Sequence, residues 1–281
     1  MRLASYNMRG RPSFGAVVGE GIVDLRGRLS RFSNLSEVFR AQALAEAKAA
    51  ADGVRPDLPL AAVELLPPLP APEKILCIGI NYANRGADYN VTNNPQYPSM
   101  FYRAPNSLVG SGQSLVRPKI SEQLDYEGEI AIVIGRDCKH VPKESALQTI
   151  AGITLANEGT IRDWTRHGQF NVTQGKNFDA TGGIGPWIQT EFDLTRPLHL
   201  ITRKNGEVIQ DDTTASMIFS FADIISYTTI FMTLKAGDVI CTGTPIKKVK
   251  NDPPVWLKPG DVIEVECPDI GVLRNNVVDE T

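Results

Sequence analysis

Leu124-Asp125-Tyr126-Glu127-Gly128-Glu129-Ile130-Ala131-Ile132-Val133-Ile134-Gly135 sets two carboxylates, two residues apart, at the head of an apolar run. Side chains at i and i+2 of a β-strand point to the same face. Glu127 and Glu129 are therefore predicted side by side on one strand, with Ile130 to Ile134 buried behind them. Two anions at that spacing repel each other unless positive charge lies between them. A divalent cation held by hard oxygen ligands meets that need. A solvated strand face or a pair of salt bridges meets it too.

Outward from this stretch the chain keeps to short strands broken by Gly and Pro. Lys74 to Ile80 reads as a buried strand, followed by Val208-Ile209, Asp238 to Cys241 and the cleanly alternating Asp261 to Glu266. Near the N-terminus, Phe14 to Val18 and Gly21 to Leu25 flank a Gly19-Glu20 turn, a hairpin signal. Helices are expected at 36–51, with Ser36 as N-cap, and at 143–151, 159–167 and 220–232. Six prolines between Pro56 and Pro72 rule out regular helix there and read as a linker. A small β-rich N-terminal domain over 1–70 and a larger domain over 71–281 follow. The fold class expected is mainly β or α+β rather than a doubly wound sheet.

With 281 residues, the chain has room for one large domain, or a large one with a small companion. It is 42% apolar and 22% charged, ordinary for a globular protein. A net charge of -3 offers no basic surface for nucleic acid. No run of about 18 apolar residues suggests a membrane span, and Met1 to Tyr6 lacks the apolar stretch of a signal peptide. Cys77, Cys138, Cys241 and Cys267 are scattered at no metal-ligand spacing and read as reduced thiols in a cytoplasmic protein. No phosphate loop or Gly-x-Gly-x-x-Gly follows a strand, which argues against nucleotide cofactors.

Three further segments gather residue types that carry chemistry. In Ala156 to Trp164, Glu158 offers a third carboxylate, with Arg162 about one helical turn later. The bland alternative is a surface helix start with a Glu–Arg i,i+4 pair. In Gln174-Gly175-Lys176-Asn177-Phe178-Asp179, the Gly-framed Lys176 is a compact cation suited to a carboxylate or enolate; otherwise it is a solvated loop lysine. In Asp238 to Pro245 a strand ends in Gly243-Thr244-Pro245, where backbone N–H groups and the Thr244 hydroxyl could hold a carboxylate. A plain strand-ending turn has the same look.

Taken in order, these segments resemble the fumarylacetoacetate hydrolase family, in its acylpyruvase-like group of metal-dependent enzymes acting on 2-oxo acids. The resemblance runs from Gly79-Ile80-Asn81-Tyr82 through Arg162-Asp163-Trp164, Gly175-Lys176-Asn177-Phe178, Gln210 to Phe219 and Thr242-Gly243-Thr244-Pro245 to Ile270 to Asn275. It implies a mixed β-roll catalytic domain behind a variable small N-terminal domain, usually in a homodimer. It implies Mg²⁺ or Mn²⁺ held by Glu127, Glu129 and Glu158. Arg162, Lys176 and Thr244 would grip the carboxylate and keto oxygen of a pyruvoyl group, with Tyr82 among the substrate-binding residues and Lys176 also catalytic. The metal would act as Lewis acid on the 2-oxo group.

The chain departs from the family pattern at the lid. Arg85 stands where the family usually has the histidine that activates water, and Asp88 where it has a glutamate. Arginine stays protonated in proteins and cannot act as general base near neutral pH; it can bind an anion in bidentate fashion. Asp88 could take over as base, or His167 could. His140 and His199 read as turn or surface residues. Position 158 is usually Asp in the family, and Glu keeps the charge with one more methylene. Lys247, Lys248 and Lys250 follow the Gly-Thr-Pro turn; they could edge the pocket, and facing solvent is the favoured reading.

The leading expectation is hydrolysis of the C–C bond of an acylpyruvate-type 2,4-dioxo acid to pyruvate and a carboxylic acid, in aromatic or sugar-acid breakdown. The alternatives are a decarboxylase or enol–keto isomerase acting on a 2-oxo dicarboxylate, or a family member that binds without turnover.

Overall fold

The computed structural model describes residues 1–70, 72–83, 85–86, 93–168, 171–248 and 254–281. Most of the described chain is extended, in a 12-stranded mixed sheet, a five-stranded sheet and a two-stranded ladder. At the centre of the large sheet runs the strand Gly128–Ile134, buried along its whole length. It pairs antiparallel with Ile150–Asn157 on one side and Val239–Cys241 on the other, and the latter runs parallel to Ile75–Gly79. A strand covered on both faces reads as a continuous apolar run rather than an alternating one, as Ile130 to Ile134 does.

Ile130, Ile132 and Ile134 pack with Leu155, Ile240, the helix residues Ile224 and Ile225, and Leu200, Val265 and Leu273 from the five-stranded sheet. Ala131 and Val133 point to the opposite face with Cys77, Cys241, Val239 and Ile75. By alternation Glu129 belongs to this second face, at the end of the strand where the apolar core stops.

The N-terminal hairpin forms as its turn chemistry predicts, Arg11–Val18 pairing with Gly21–Asp24. The strand before it, Arg2–Met8, pairs with Arg11–Val18 on one side and joins the large sheet by pairing with Gly182–Gln189 on the other. The proline-rich segment is more than a spacer. Leu58-Pro59 pairs with Gly21-Ile22, and Glu64-Leu65 pairs with Tyr6-Asn7. The Ser5 hydroxyl donates to the Pro68 carbonyl at 2.7 Å.

Helix boundaries differ from expectation in instructive ways. The 36–51 helix is two helices, Leu35–Arg40 and Leu44–Ala51. Asn34, not Ser36, caps the first, accepting from the Glu37 N–H at 3.1 Å; Ser36 is buried inside it. Residues 143–151 hold only Lys143–Ala146 and a 3-10 turn before a strand begins at Ile150. The third expected helix, 159–167, is absent: Thr160-Ile161 is a strand, and Arg162–Trp164 a single 3-10 turn. β-Branched Thr160 and Ile161 pair with Asp125 and Leu124 instead. Phe221–Phe231 matches its expectation, capped by Ser220 in a capping box with Asp223.

Asp238 ties the central parallel pair together. Its fully buried carboxylate accepts from the Lys74 N–H at 3.0 Å and the Lys235 N–H at 2.7 Å, and pairs with the Lys74 ammonium at 3.0 Å. Asp238→Ala leaves the Lys74 and Lys235 N–H groups without this acceptor, while the Lys74 ammonium keeps Glu73 at 2.7 Å, and is expected to cost about 3 kcal/mol. Urea unfolding checks this; a loss below about 1 kcal/mol would mean that water replaces the carboxylate at little cost.

Candidate active site

Glu127 directly precedes the central strand and Glu129 lies in it, while Glu158 follows its antiparallel neighbour. Pairing of Gly128 with Asn157, reinforced by the Glu158 N–H donating to the Glu127 carbonyl at 2.8 Å, sets Glu158 opposite Glu127. One oxygen from each of the three carboxylates lies within 4.8 Å of the others, and all three residues are buried.

Their electrostatic environments diverge. Glu127 accepts from Arg85 at 2.9 Å, from Arg162 at 2.5 Å and from the Lys176 ammonium, with the Thr160 hydroxyl at 3.3 Å. Burial pushes its carboxyl up, but Arg162 foremost, then Lys176 and Arg85, hold it well below the usual range. Glu129 accepts from the Gly243 N–H at 2.8 Å. Burial and then the charge of Glu158, with Cys241 and Glu127 adding to them, drive it well above that range.

Glu158 Oε1 lies 3.2 Å from the Lys176 ammonium and 3.6 Å from Arg103, yet no donor among the described residues is directed at it in hydrogen-bond geometry. A buried carboxylate oxygen without a hydrogen bond, beside two more carboxylates that repel it, fits a hard divalent cation. Three carboxylate oxygens suit Mg²⁺ and Mn²⁺ alike.

Arg162 arrives by a route the sequence did not suggest. With no helix over 159–167, it does not pair with Glu158 one turn back. Its Nε donates to Asp125 Oδ2 at 2.7 Å while its terminal nitrogen reaches Glu127. Asp125 thus joins the site, and its signal was in plain view: it lies two residues before Glu127, with the same alternation. Burial pushes the Asp125 carboxyl up; Arg162 and Lys247 override this and hold it low.

Lys176 ends a short helix, Thr173–Lys176. A Cβ on Gly175 would lie 2.7 Å from the Ile161 carbonyl, so glycine lets this turn press against the two-stranded ladder. The ammonium is delivered between Glu127 and Glu158, over the Phe101 ring at 5.1 Å.

The turn after Val239–Cys241 needs its glycine. Gly243 has φ +100°, and a Cβ there would lie 2.7 Å from Asn81. Asn81 fastens the turn, its amide donating to the Thr242 carbonyl at 2.8 Å and the Phe219 carbonyl at 3.0 Å. The buried Thr244 hydroxyl accepts from Gln210, which also donates to the Pro245 carbonyl and accepts from the Gly128 N–H. Gln210 therefore braces both edges of the site.

The remaining expected residues fall out differently. Arg85 is buried against Glu127, at 3% exposure. Tyr82 is buried, and its hydroxyl has no hydrogen-bond partner among the described residues. His167 is exposed with its ring tilted against Trp164, centroids 4.2 Å apart. No described ion pair or hydrogen bond joins its imidazole to the three carboxylates. Asp88 and Lys250 lie outside the described residues. Lys248 does face outward, pairing with Asp211.

Lys247 takes the less favoured of its two expected placements. Its ammonium turns in and donates to Asp125 Oδ1 at 2.6 Å, because a carboxylate buried there needs a counter-charge. Arg103 was not anticipated. It is buried beside Glu158 and donates to the Gly159 carbonyl at 2.8 Å and the Thr181 hydroxyl at 3.2 Å.

Fold and site together define a class: a β-rich body holding a buried carboxylate triad edged with arginine and lysine, suited to a cation and a small organic anion. The chain belongs to the fumarylacetoacetate hydrolase family; the model described as Fumarylacetoacetate (FAA) hydrolase C-terminal matches residues 74–278. The mitochondrial oxaloacetate tautomerase Fahd2a of Rattus norvegicus is 34% identical over 271 residues, 93% of this chain and 85% of the rat protein. The fumarylacetoacetate hydrolase of psychrophilic Exiguobacterium antarcticum superposes with a TM-score of 0.83 at 31% identity, covering 100% of both chains. The 2-hydroxyhepta-2,4-diene-1,7-dioate isomerase of Mycobacterium marinum gives 0.76 at 29% identity, over 100% of this chain and 99% of that one. No helix among the described residues is long and apolar enough to cross a membrane.

Proposed function

We propose that this protein is a divalent-metal-dependent enol–keto tautomerase of a short 2-oxo dicarboxylate, with oxaloacetate as the first substrate to test. The observation that carries this reading is Arg85, buried and paired at 2.9 Å with Glu127. Hydrolysis needs a group that takes a proton from water, and the guanidinium that stands at the family's usual histidine position cannot accept one, so hydrolysis would need its base from another residue. Tautomerisation needs no activated water: it needs the enolate stabilised while a proton is taken from one atom and returned to the other. The rat relative named as an oxaloacetate tautomerase supports the same reaction class. Hydrolysis, the leading expectation from sequence, becomes the second reading, supported by the likeness to the Exiguobacterium enzyme.

Glu127, Glu129 and Glu158 would hold the cation, which supplies Lewis acidity toward a 2-oxo group. Arg162 and Lys176 bind and orient the substrate anion. The Lys176 ammonium, over the Phe101 ring, holds a proton that it can share with an enol oxygen. Thr244, fixed through Gln210, lines the turn beside Glu129.

The test dilutes enol-oxaloacetate from aprotic solvent into buffer with Mg²⁺ or Mn²⁺ and follows the decay of enol absorbance. Pyruvate release from acetylpyruvate is assayed in parallel. Faster ketonisation without pyruvate release is expected. Metal-dependent pyruvate release would replace tautomerisation with hydrolysis, and no acceleration of either would favour binding without turnover.

A further inference from the structure

Gln210 lies in the strand Glu207–Thr213, whose register with His199–Lys204 shifts between Thr202 and Arg203 and leaves Ile209 out of the ladder. Such a bulge bends a strand and re-aims the side chains beside it. The Ile209 carbonyl accepts from the Lys248 N–H at 2.8 Å, so the chain beyond the Gly-Thr-Pro turn docks on the bulge. Gly128, between Glu127 and Glu129, lets Gln210 come close. A Cβ there would lie 2.1 Å from the Thr202 hydroxyl oxygen and 3.3 Å from Gln210 Oε1. Gln210 is fully buried, and Thr244 nearly so.

The hydrogen bonds of Gln210 fix the polarity of its neighbours. Oε1 accepts from the Gly128 N–H at 3.1 Å, and Nε2 donates to the Pro245 carbonyl at 2.7 Å. A backbone N–H can only donate and a carbonyl can only accept, so the amide stands one way round. Nε2 carries two protons, and the second goes to the Thr244 hydroxyl at 2.9 Å. With both spent, Gln210 has no donor left for a substrate. Thr244 is in turn fixed as an acceptor toward Gln210, so its own proton must point elsewhere. Among the described residues no acceptor takes that proton. The turn that carries Thr244 meets the carboxylate triad, since the Gly243 N–H donates to Glu129 at 2.8 Å. A hydroxyl that accepts one hydrogen bond is polarised and donates the next more strongly.

We propose that Gln210 is a positioning residue: it holds Thr244 as a hydrogen-bond donor, and that donor receives a carboxylate or enolate oxygen of the substrate anion. This deepens the reading of the site as one for a 2-oxo acid and rests on it. Gln210 acts on the substrate through Thr244 alone. Without it the hydroxyl is free to rotate and to turn its proton away from the anion. A donor aimed in advance needs no reorganisation when negative charge develops on the enolate.

The test is a double-mutant cycle on oxalate binding to the Mg²⁺-loaded protein, followed by calorimetry. Oxalate presents only acceptor oxygens. Gln210→Leu is expected to weaken it about 5-fold and Thr244→Val about 10-fold. With Thr244→Val in place, adding Gln210→Leu should change affinity by less than about 2-fold. A brace that only holds the strands together would weaken oxalate by the same factor in both backgrounds. That result, or no effect of Gln210→Leu alone, overturns the positioning role. Should Gln210→Leu fail to fold, Gln210→Glu takes its place in the cycle. Its carboxylate accepts the Thr244 proton and draws it out of the site, while its charge repels oxalate in both backgrounds. The loss should then be about 5-fold greater with Thr244 present than with Thr244→Val, and equal losses overturn the proposal. Equal factors beside a wild type that ketonises enol-oxaloacetate leave the tautomerase reading in place. The expected cycle in a wild type that does not ketonise it overturns that reading alone. Wild type that binds no oxalate with Mg²⁺ overturns both.

Discussion

Glu127→Gln is expected to abolish divalent-metal binding and to lower turnover by about 10³-fold or more. The amide keeps the size and planarity of the carboxylate and removes its charge. That charge is the meeting point of Arg85, Arg162 and Lys176. Without it three buried or half-buried cations lose their shared anion, and a divalent ion would enter a more positive site with one ligand fewer. A manganese titration followed by calorimetry, paired with a thermal melt, checks both effects. The melt is needed because the unshielded cations repel one another and will lower stability as well. An unchanged titration would remove Glu127 from the metal site.

Gly159→Ala is expected to be the most damaging single methyl near the site. A Cβ there would lie 1.7 Å from the Thr181 carbonyl oxygen and 2.6 Å from its carbon. Both atoms are backbone, so no rotamer change clears the overlap. The two chain segments must separate, pulling on Arg103, which is anchored to the Gly159 carbonyl at 2.8 Å and to Thr181. Glu158, the preceding residue, moves with them. A cost of about 3 kcal/mol or more follows from overpacking a site that cannot give, with weaker metal binding from the displaced Glu158. Urea unfolding of Gly159→Ala beside Gly27→Ala, where nothing lies within 4 Å of the new Cβ, separates this clash from the general effect of replacing glycine. Equal midpoints for the two variants would show that the loop yields freely.

Much of the site's frame was legible along the chain. The two-residue spacing sets Glu127 and Glu129 beside each other at the head of the central strand, and Asp125, at the same spacing, ends the short strand before it. Ser220 with Asp223 marks a helix start through purely local hydrogen bonds, and the Phe221–Phe231 helix begins there. The apolar run from Ile130 to Ile134 has no polar face to offer solvent, so it had to lie inside a sheet. In each case the forces act between residues a few positions apart.

The exceptions are equally consistent. Around Arg162 the spacing reads as one turn of helix, and that local preference loses to the ladder that Leu124-Asp125 offers to Thr160-Ile161. Lys247 looks like any surface lysine until the fold brings Asp125, 122 residues earlier, within 2.6 Å. Arg103 has no local motif, and its role exists only because Gly159 and Thr181 converge on it. The sequence alone determined which residue types meet on one strand face and where the chain must be extended. Tertiary structure decided which cations neutralise which carboxylates, because a buried charge takes its partner from whatever the fold brings close, regardless of distance along the chain.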